Sequence, residues 1–186
     1  MQSRCIPKPT VCSTLQWEAF CHCGELNSVT LGAGLERIGT DAFASVEGLE
    51  TVEYTGEISA WCSIVFESQL SNPVWLTKRL YIDGNAVQSI VIEEGVEEIL
   101  KFSFAGMQDV KTVSLPLSLQ SIELNAFLDC NAVTHAYYNG TEDDWKEVSF
   151  VEAGNAIVKK NLYYYAETAQ SGKFWRYENG IPTVWA

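Results

Sequence analysis

Apolar residues recur along this chain in short alternating stretches, and the stretches return at a fixed spacing. Phe20 and Phe43 lie 23 positions apart, and so do Phe104 and Phe127. Each phenylalanine is followed by apolar residues six, nine and eleven positions later. The last two of these fall on one face of a short strand, because side chains alternate along an extended chain. The pattern predicts one short strand in each repeat unit.

A single unit of this size cannot cover its own apolar side. Ile90 and Ile92, preceded by Val87, supply a fifth unit of the same kind. Stacked units bury one continuous core, which is the principle of a solenoid. We therefore expect the whole chain to fold as a stack of coils.

A second periodicity indicates an internal duplication. In each half, two units are followed by a non-repeating segment, here called an excursion, of the form Tyr-x-Gly-x-x-x-x-Trp. Trp61 and Trp145 occupy twin positions in the two excursions, so we expect them to have the same packing role. Shifting the sequence by 84 positions aligns identical residues: Phe20/Phe104, Val29/Val113, Leu31/Leu115, Leu35/Leu119, Ile38/Ile122, Ala42/Ala126, Phe43/Phe127, Tyr54/Tyr138, Gly56/Gly140, Trp61/Trp145 and Phe66/Phe150.

Two turn signals predict β-hairpins. Asp83-Gly84 lies between apolar runs inside the first excursion, and Asn179-Gly180 lies between aromatic-rich strands near the C-terminus. Pro182 suits an edge strand. We expect the second hairpin to cap the open end of the solenoid, with Trp175 and Trp185 facing each other across it as a cross-strand pair.

These signals predict one continuous domain with five parts. Residues 1–18 are interpreted as the remnant of an upstream coil or as an N-terminal cap. The other parts are the first repeat coils at 19–54, the first excursion with its hairpin at 55–86, the second repeat coils at 87–138, and the second excursion with the hairpin cap at 139–186.

Two stretches resemble the repeat of the BspA-type leucine-rich-repeat family, which is found in many bacterial surface proteins and some parasitic protists. They are VTLGAGLERIGTDAFASVEGLETV at 29–52 and VSLPLSLQSIELNAFLDCNAV at 113–133. Cys23 and Cys130 occupy the position where that family usually has cysteine, and the resemblance extends over about residues 17–165. Two corresponding positions depart from the pattern, Val46 and Met107.

The resemblance implies a leucine-rich-repeat-type right-handed solenoid of the β-rich α/β class. Its short strands would form a parallel sheet, with β-hairpin excursions and the C-terminal hairpin cap added to it. Proteins of this family are usually exposed on the cell surface and used for adhesion or protein recognition. One fold supports many functions, so this implication rests on association.

Composition narrows the range of partners. Of the 186 residues, 47% are apolar and 19% are charged, as in a folded domain. The net charge of −12 would repel nucleic acid and anionic membrane surfaces. No apolar run is long enough to span a membrane, so membrane insertion is not expected.

Location and redox state stay open at the level of sequence. The first 15 residues include Arg4 and Lys8 but no apolar block, so they do not form a secretory signal. Either the protein stays inside the cell, or this chain lacks the start of the natural product; the family resemblance favours the cell surface or the extracellular space. If the protein is exported, a Cys5–Cys12 or Cys12–Cys21 disulfide is possible.

No group of residues predicts a catalytic, metal or cofactor site. Cys21-His22-Cys23 is the cluster most like a metal site, but zinc usually takes four ligands. In an extended segment, neighbouring side chains point to opposite faces, so these three residues would not converge on one ion. His22 and His135 are not coupled to a nucleophile and an orienting carboxylate. The thiols are better interpreted as buried or surface groups, a set that also includes Cys62 and Cys130.

The acidic clusters are expected to be solvated. Paired carboxylates can hydrolyse glycosidic bonds, but Glu93, Glu94, Glu97 and Glu98 bracket Gly95-Val96 and face away from the apolar positions around them. The trio at 142–144 could bind calcium weakly, but its twin is Ile58-Ser59-Ala60, so the fold does not require it.

Three functions remain, in decreasing order. The first is a non-catalytic recognition module whose sheet binds a protein, with a glycan as the alternative ligand. The second is a spacer or capping segment of a larger surface protein, and the third is a carbohydrate-active hydrolase. The sequence identifies no contact residues and no oligomeric state, although Trp17 and Trp75 lack twins and are freer to make an exposed contact.

Overall fold

The computed structural model describes residues 12–185. Each repeat unit contains a strand with one face in the core, since Val29 and Leu31 are buried while Ser28 and Thr30 are exposed. This confirms the prediction that the alternating apolar residues of a unit lie on one face of a short strand. Numbered in chain order, the strands on this side of the solenoid are β2 (Ser28–Leu31), β4 (Thr51–Tyr54), β8 (Ser89–Val91), β10 (Thr112–Leu115), β12 (His135–Tyr138) and β14 (Leu162–Tyr165).

Equivalent positions of successive units lie directly opposite each other. Strand β2 pairs in parallel with β4, where Val29 faces Val52, and β10 pairs in parallel with β12, where Val113 faces Ala136. Each coil thus covers the apolar edge of the one before it, as expected for a solenoid.

Shorter parallel strands close the opposite side of each coil. They form two sheets of three strands, with the orders β1-β3-β5 and β9-β11-β13. Each strand has two residues because the chain turns again at once. Their bounds are β1 (Thr14–Leu15), β3 (Arg37–Ile38), β5 (Val65–Phe66), β9 (Glu98–Ile99), β11 (Ser121–Ile122) and β13 (Ser149–Phe150).

The excursions are enlarged coils and do not leave the solenoid. Strand β5 pairs with β3, and β6 (Tyr81–Ile82) pairs with β4, so the first excursion extends both sheets. The step from Tyr54 to Phe66 is longer than the step from Leu31 to Ile38 because a helical turn is inserted. The helices are α1 (Ile58–Trp61), α2 (Val74–Thr77), α3 (Glu142–Trp145) and α4 (Ala156–Lys160), with a 3₁₀ helix at Gln69–Ser71.

Both predicted hairpins are present. Strand β6 turns at Asp83-Gly84 into the antiparallel β7 (Asn85–Ala86), and β15 (Phe174–Glu178) turns at Asn179-Gly180 into β16 (Ile181–Val184). All four turn residues have positive φ, which is the requirement of a type I′ turn. Strand β16, which carries Pro182, is the edge strand of a sheet with the order β16-β15-β14-β12-β10-β8.

The repeated phenylalanines stack as two pairs, in which Phe43, Phe104 and Phe127 are buried in the core and Phe20 is half-buried against it. The ring centroids of Phe20 and Phe43 are 5.1 Å apart, and those of Phe104 and Phe127 are also 5.1 Å apart. At the N-terminal end, strand β1 continues the short sheet, because Leu15 lies opposite Ile38 of β3. The predicted cap or coil remnant at residues 1–11 lies outside the described part of the chain.

The twin excursion residues form the same aromatic triad in both halves. The Trp61 ring meets Tyr54 edge-on at 5.1 Å and Phe66 at 5.4 Å. The triad of Tyr138, Trp145 and Phe150 repeats this arrangement at 5.1 and 5.6 Å. The shared packing role predicted for the two tryptophans is confirmed.

The glycine of the Tyr-x-Gly motif is required by close packing. A Cβ atom on Gly56 would lie 2.7 Å from the ring of Tyr54, and one on Gly140 would lie 2.6 Å from the ring of Tyr138. Each tyrosine ring folds over its own glycine, so a side chain at that position would displace the triad.

Candidate binding surface

One face of the six-stranded sheet carries an array of aromatic side chains on the solvent side. Ala136, Tyr138 and Leu162 point into the hydrophobic core. Since side chains alternate along a strand, their neighbours in β12 and β14 point outward. We call this array the aromatic face; it consists of His135, Tyr137, Tyr163, Tyr165, Trp175 and Tyr177.

The rings of the aromatic face contact each other across three neighbouring strands. Tyr137 lies opposite Tyr163, and Tyr165 lies opposite Trp175. The centroid of the Trp175 ring is 5.2 Å from Tyr137, 5.5 Å from Tyr165 and 4.8 Å from Tyr177. At the other end, His135 stacks on Tyr163 at 5.3 Å. Such tilted and edge-on pairs add to the stability gained from buried area.

This cluster is separate from the hydrophobic core. Trp175 is 0% exposed and Tyr137 is 8% exposed, yet neither belongs to the core cluster between the sheets. The indole Nε1 of Trp175 donates a hydrogen bond to the carbonyl oxygen of Tyr138 at 2.9 Å. Tyr177 is 48% exposed, and Tyr163 and Tyr165 are half-buried. The face has a rigid floor beneath an accessible rim.

The prediction that Trp175 faces Trp185 is wrong. The two-residue turn pairs Glu178 with Ile181, and this register places Val184 opposite Trp175. Trp185 lies on the other side of the hairpin, where its Nε1 donates to the carbonyl of Ala166 at 2.9 Å. The Arg176 guanidinium stacks over its ring at 3.7 Å.

The aromatic face contains no Asp, Glu, Lys or Arg side chain of its own, although the Lys173 ammonium lies 5.9 Å from the centroid of the Tyr163 ring. None of the outward side chains on the six strands of this sheet is Asp, Glu, Lys or Arg. Burial, together with the neighbouring Tyr163, raises the pKa of Tyr137, which therefore remains a neutral phenol at physiological pH. The imidazole Nδ1 of His135 lies 3.0 Å from the hydroxyl of Thr134.

The cysteines are dispersed. Cys21-His22-Cys23 forms a tight turn with positive φ at His22, instead of the extended segment considered from sequence. Cys23 is half-buried. Cys12 and Cys21 have free thiols, so the Cys12–Cys21 disulfide is not formed. Cys5 lies outside the described residues.

Two further cysteines are sealed in the core. The thiol of Cys130 donates to the carbonyl of Phe104 at 3.1 Å, and that of Cys62 donates to Ile58 at 3.4 Å. Within residues 12–185, no three His, Cys, Asp or Glu side chains are grouped so that they could hold a metal ion.

The clustered glutamates are at the surface, as predicted, and Glu94 holds a turn in place. Glu94 accepts hydrogen bonds from the backbone N–H groups of Leu117 and Ser118 at 2.9 and 3.1 Å. Partial burial raises the pKa of Glu94, but these bonds and one from Asn139 outweigh it, so the net shift is downward. Glu93, Glu97 and Glu98 are exposed like Glu94.

The acidic trio at the second excursion builds the start of α3. The Asp144 carboxylate accepts bonds from the backbone N–H and hydroxyl of Thr141, which completes a capping box. Asp143 pairs with Lys146 at 2.7 Å. Asp144 therefore has a structural role as part of the helix cap.

The two unmatched tryptophans differ. Trp17 is 66% exposed, in line with the interpretation that it is free to make a contact. Trp75 is half-buried, and the ammonium of Lys78 lies 3.6 Å above its ring. The aromatic face was not predicted from the sequence. The alternation of Tyr163 and Tyr165 with inward-facing residues was a signal from which it could have been found.

Stacked coils whose equivalent strands pair in parallel, with phenylalanines repeated 23 positions apart, define this molecule as a leucine-rich-repeat solenoid. The family described as BspA type Leucine rich repeat region, a unit of six copies, matches residues 4–86 and 76–169. The chain belongs to that family. No helix among residues 12–185 is both long and apolar enough to cross a membrane.

Similarity to individual proteins is limited. A leucine rich cell surface protein from Faecalibacterium prausnitzii A2-165, whose crystal structure is solved, is 26% identical to this chain, with a TM-score of 0.44. The match covers 77% of this chain and 34% of that protein, so the chain spans about a third of its length. No curated protein matches the sequence.

Proposed function

We propose that this chain is a non-catalytic recognition module of a cell-surface or secreted protein, and that the aromatic face is its contact surface. The observation that carries the proposal is a cluster of aromatic side chains packed on the solvent side of the sheet, apart from the core. A protein gains little by building a second apolar cluster in contact with water unless something covers it. Aromatic residues are also those that most often dominate binding energy in interfaces.

The construction of the face supports binding. Trp175 and Tyr137 are immobilised beneath the rim, and Trp175 is further held by its bond to Tyr138. Tyr163, Tyr165 and Tyr177 therefore stand on a fixed base, and little side-chain entropy is lost when a partner covers them. The regular sheet adds a broad surface to this rigid patch.

Membership of the BspA-type leucine-rich-repeat family supports the proposed cell-surface location and role in adhesion. A hydrolase would need a pair of carboxylates beside the bound sugar, whereas the sheet around the aromatic face offers no outward carboxylate. Glu94, the glutamate with the most hydrogen bonds in its cluster, is occupied with the turn at Leu117.

A capping role is the second candidate, and the hydrogen bond from Trp175 to Tyr138 favours it. On that account the aromatic rings serve to fasten the terminal hairpin onto the sheet. This role accounts for Trp175 and Tyr137, but it does not explain the exposed part of Tyr177.

The two accounts are separated by removing only the rim. The variant Tyr163→Ser/Tyr165→Ser/Tyr177→Ser keeps the buried floor, and Tyr81→Ser is its matched control, because Tyr81 lies opposite Glu53 on the outer side of the other sheet. Purified extracellular-matrix proteins and glycans, immobilised as an array, are probed with each protein. We expect binding by the wild type and the control, and its loss in the triple variant. Equal binding by the triple variant, or no binding by the wild type, would contradict the proposal.

A further inference from the structure

The internal duplication allows the outer side of the sheet to be compared between the two halves, position by position. The backbone N–H of His135 donates to the carbonyl oxygen of Lys111 at 3.4 Å. In the first half, the backbone N–H of Thr51 donates to the carbonyl oxygen of Asn27 at 3.2 Å. The two pairs of residues therefore occupy equivalent positions in their coils.

A second set of twins lies further along the same strands. Tyr137 of β12 lies opposite Tyr163 of β14. In the first half, Glu53 of β4 lies opposite Tyr81 of β6. Where the first half has an amide, a hydroxyl and a carboxylate, the second half thus has an ammonium, an imidazole and a phenol ring. Because both halves form the same coils, folding does not require this more basic and more aromatic set.

Three lysines lie at the amino ends of neighbouring strands in the second half. Lys111 precedes β10 and Lys173 precedes β15, and the strands β10, β12, β14 and β15 are consecutive neighbours in the sheet. The Lys173 ammonium donates a hydrogen bond to the carbonyl oxygen of Lys160, which ends α4 just before β14. We call Lys111, Lys160 and Lys173 the basic edge; all three residues are exposed.

Within residues 12–185, the lysines of the basic edge have no carboxylate partner, although acidic residues outnumber basic ones by 24 to 12. An ammonium carries three N–H donors, so Lys173 retains donors after its bond to the backbone carbonyl. The basic edge therefore offers unpaired positive charge to a ligand. The ion pairs in this part of the chain use Arg37, Arg79, Lys146, Lys159 and Arg176 instead.

An aromatic ring lies directly beside the basic edge. The Lys173 ammonium is 5.9 Å from the centroid of the Tyr163 ring, and His135 stacks on that ring at 5.3 Å. Tyr163 is half-buried, so part of its ring is accessible to the C–H groups of a sugar. The neighbouring ammonium can pair with a carboxylate or sulfate on the same sugar. A ring and a cation side by side match an acidic saccharide.

The other charges of the molecule limit how far the acidic part of the ligand can extend. The net charge of −12 repels a long polyanion or an acidic peptide. Glu93 and Glu94 come after β8, and the acidic trio at 142–144 comes after β12, so the opposite ends of the strands are acidic. Resting on the proposed recognition function, we infer that the basic edge and the Tyr163 ring bind a glycan whose terminal sugar carries a carboxylate or a sulfate. The uncharged sugars of that glycan lie over the rest of the aromatic face.

The test measures the affinity of the full chain for defined sugars. Saturation-transfer NMR titrations use sialyllactose, sulfated lactose and lactose, with hexaglutamate as the acidic peptide probe. Sialyllactose presents a terminal carboxylate and sulfated lactose presents a sulfate, so the two probes separate the two sources of negative charge. We expect at least one of them to bind about tenfold more tightly than lactose, because charge-assisted hydrogen bonds are added.

The basic edge is tested by removing charge from it. Lys111→Gln/Lys173→Gln should weaken binding of the acidic sugar by about tenfold, because two cationic contacts are lost. The matched control is Lys101→Gln/Lys146→Gln, which removes the same charge at positions after β9 and α3. The control should bind as the wild type does.

The ring is tested against its twin. Tyr163→Ala should weaken binding of the acidic sugar by about tenfold or more, whereas Tyr81→Ala should not. Tyr163→Phe keeps the ring and should retain binding. Near-ultraviolet circular dichroism checks the folding of each variant.

Several outcomes would overturn the inference: neither acidic sugar binds, lactose binds as tightly, Lys111→Gln/Lys173→Gln or Tyr163→Ala binds as well as the wild type, or only hexaglutamate binds. When the rim variant loses a ligand from the array and no acidic sugar binds, this inference fails while the recognition function stands. When the wild type binds nothing, both fail.

Discussion

The indole Nε1 of Trp61 donates a hydrogen bond to the backbone carbonyl of Ser103, 2.6 Å away. This bond joins the first excursion to the first phenylalanine turn of the second half. The side-chain amide of Asn72 strengthens the same joint by donating to the carbonyls of Phe102 and Ser103 at 2.8 and 3.2 Å. The two duplicated halves are thereby held as one stack.

Replacing Trp61 with phenylalanine should therefore destabilise the protein more than the same change at its twin. Trp61→Phe removes a buried donor and leaves a gap, for which we expect a loss of about 2 kcal/mol in the free energy of unfolding. Trp145→Phe is the matched control, since Trp145 is half-buried and makes no such bond within residues 12–185. Urea denaturation measures both, and equal losses would contradict the role of the Ser103 bond.

Adding a methyl group beneath the tyrosine rings should disturb both triads. Gly56→Ala and Gly140→Ala place Cβ within 2.7 Å of a ring, so each should lower the free energy of unfolding by about 1–3 kcal/mol. Gly24→Ala is the control, because nothing lies within 4 Å of a Cβ at that position. The prediction fails if the three variants unfold at the same urea concentration.

The phenol of Tyr54 should be dispensable. Its hydroxyl is buried and has no hydrogen-bond partner within the described residues, and burial raises its pKa. Tyr54→Phe removes an unsatisfied polar atom, so we expect stability to stay unchanged or to rise by about 1 kcal/mol. Tyr138→Phe is the comparison in the second triad. A loss of more than about 1 kcal/mol in Tyr54→Phe would show that the hydroxyl has a partner.

Alkylation should separate the buried thiols from the exposed one. Burial raises the pKa of both Cys62 and Cys130 to about 12, so almost no thiolate is present at pH 8. We expect iodoacetamide to modify Cys12, which is exposed, and to modify Cys62 and Cys130 only after unfolding. Peptide mapping by mass spectrometry gives the result for each residue. Modification of native Cys130 at the rate of Cys12 would refute its burial.

Acid should weaken the link between β3 and β5. The side chain of Arg37 first, and then the backbone and hydroxyl of Thr40, lower the pKa of the Glu67 carboxyl through hydrogen bonds. A depressed folded-state pKa stabilises the fold above the unfolded-state value of about 4.3, and this contribution disappears as the pH falls through the folded-state pKa.

The test of this linkage is the pH dependence of stability. Glu67→Gln should lose part of the rise in stability between about pH 3 and pH 5, whereas Glu50→Gln, at an exposed position, should keep it. Thermal unfolding at a series of pH values gives the curves. Superimposable curves for Glu67→Gln and the wild type would exclude the linkage.

Local patterns were sufficient for the coils and the turns. The alternation around Val29 and Leu31 predicted a strand with one buried face, and the Asn179-Gly180 dipeptide predicted a type I′ hairpin. Duplication predicted that Trp61 and Trp145 pack alike. These features were predictable because each depends on residues close together in the chain or on a repeated environment.

The cross-strand pairs of the terminal hairpin were predicted only in part. Counting outward from the two-residue turn places Val184 opposite Trp175, so Trp185 falls one position too far along to face it. A shift of one residue moves a side chain to the other face of a sheet. For this reason alone, Trp175 and Trp185 do not form the predicted cross-strand pair.

The sequence by itself determined that this protein is a solenoid with two excursions and a hairpin at its end. Only the tertiary structure decided that Tyr137, Tyr163 and Trp175 share one surface, because coiling brings strands distant in the chain side by side and the register sets which of their faces coincide. Apolar burial explains why the coils stack, since it follows from the pattern of each unit. A binding surface arises between units, where no local pattern describes it.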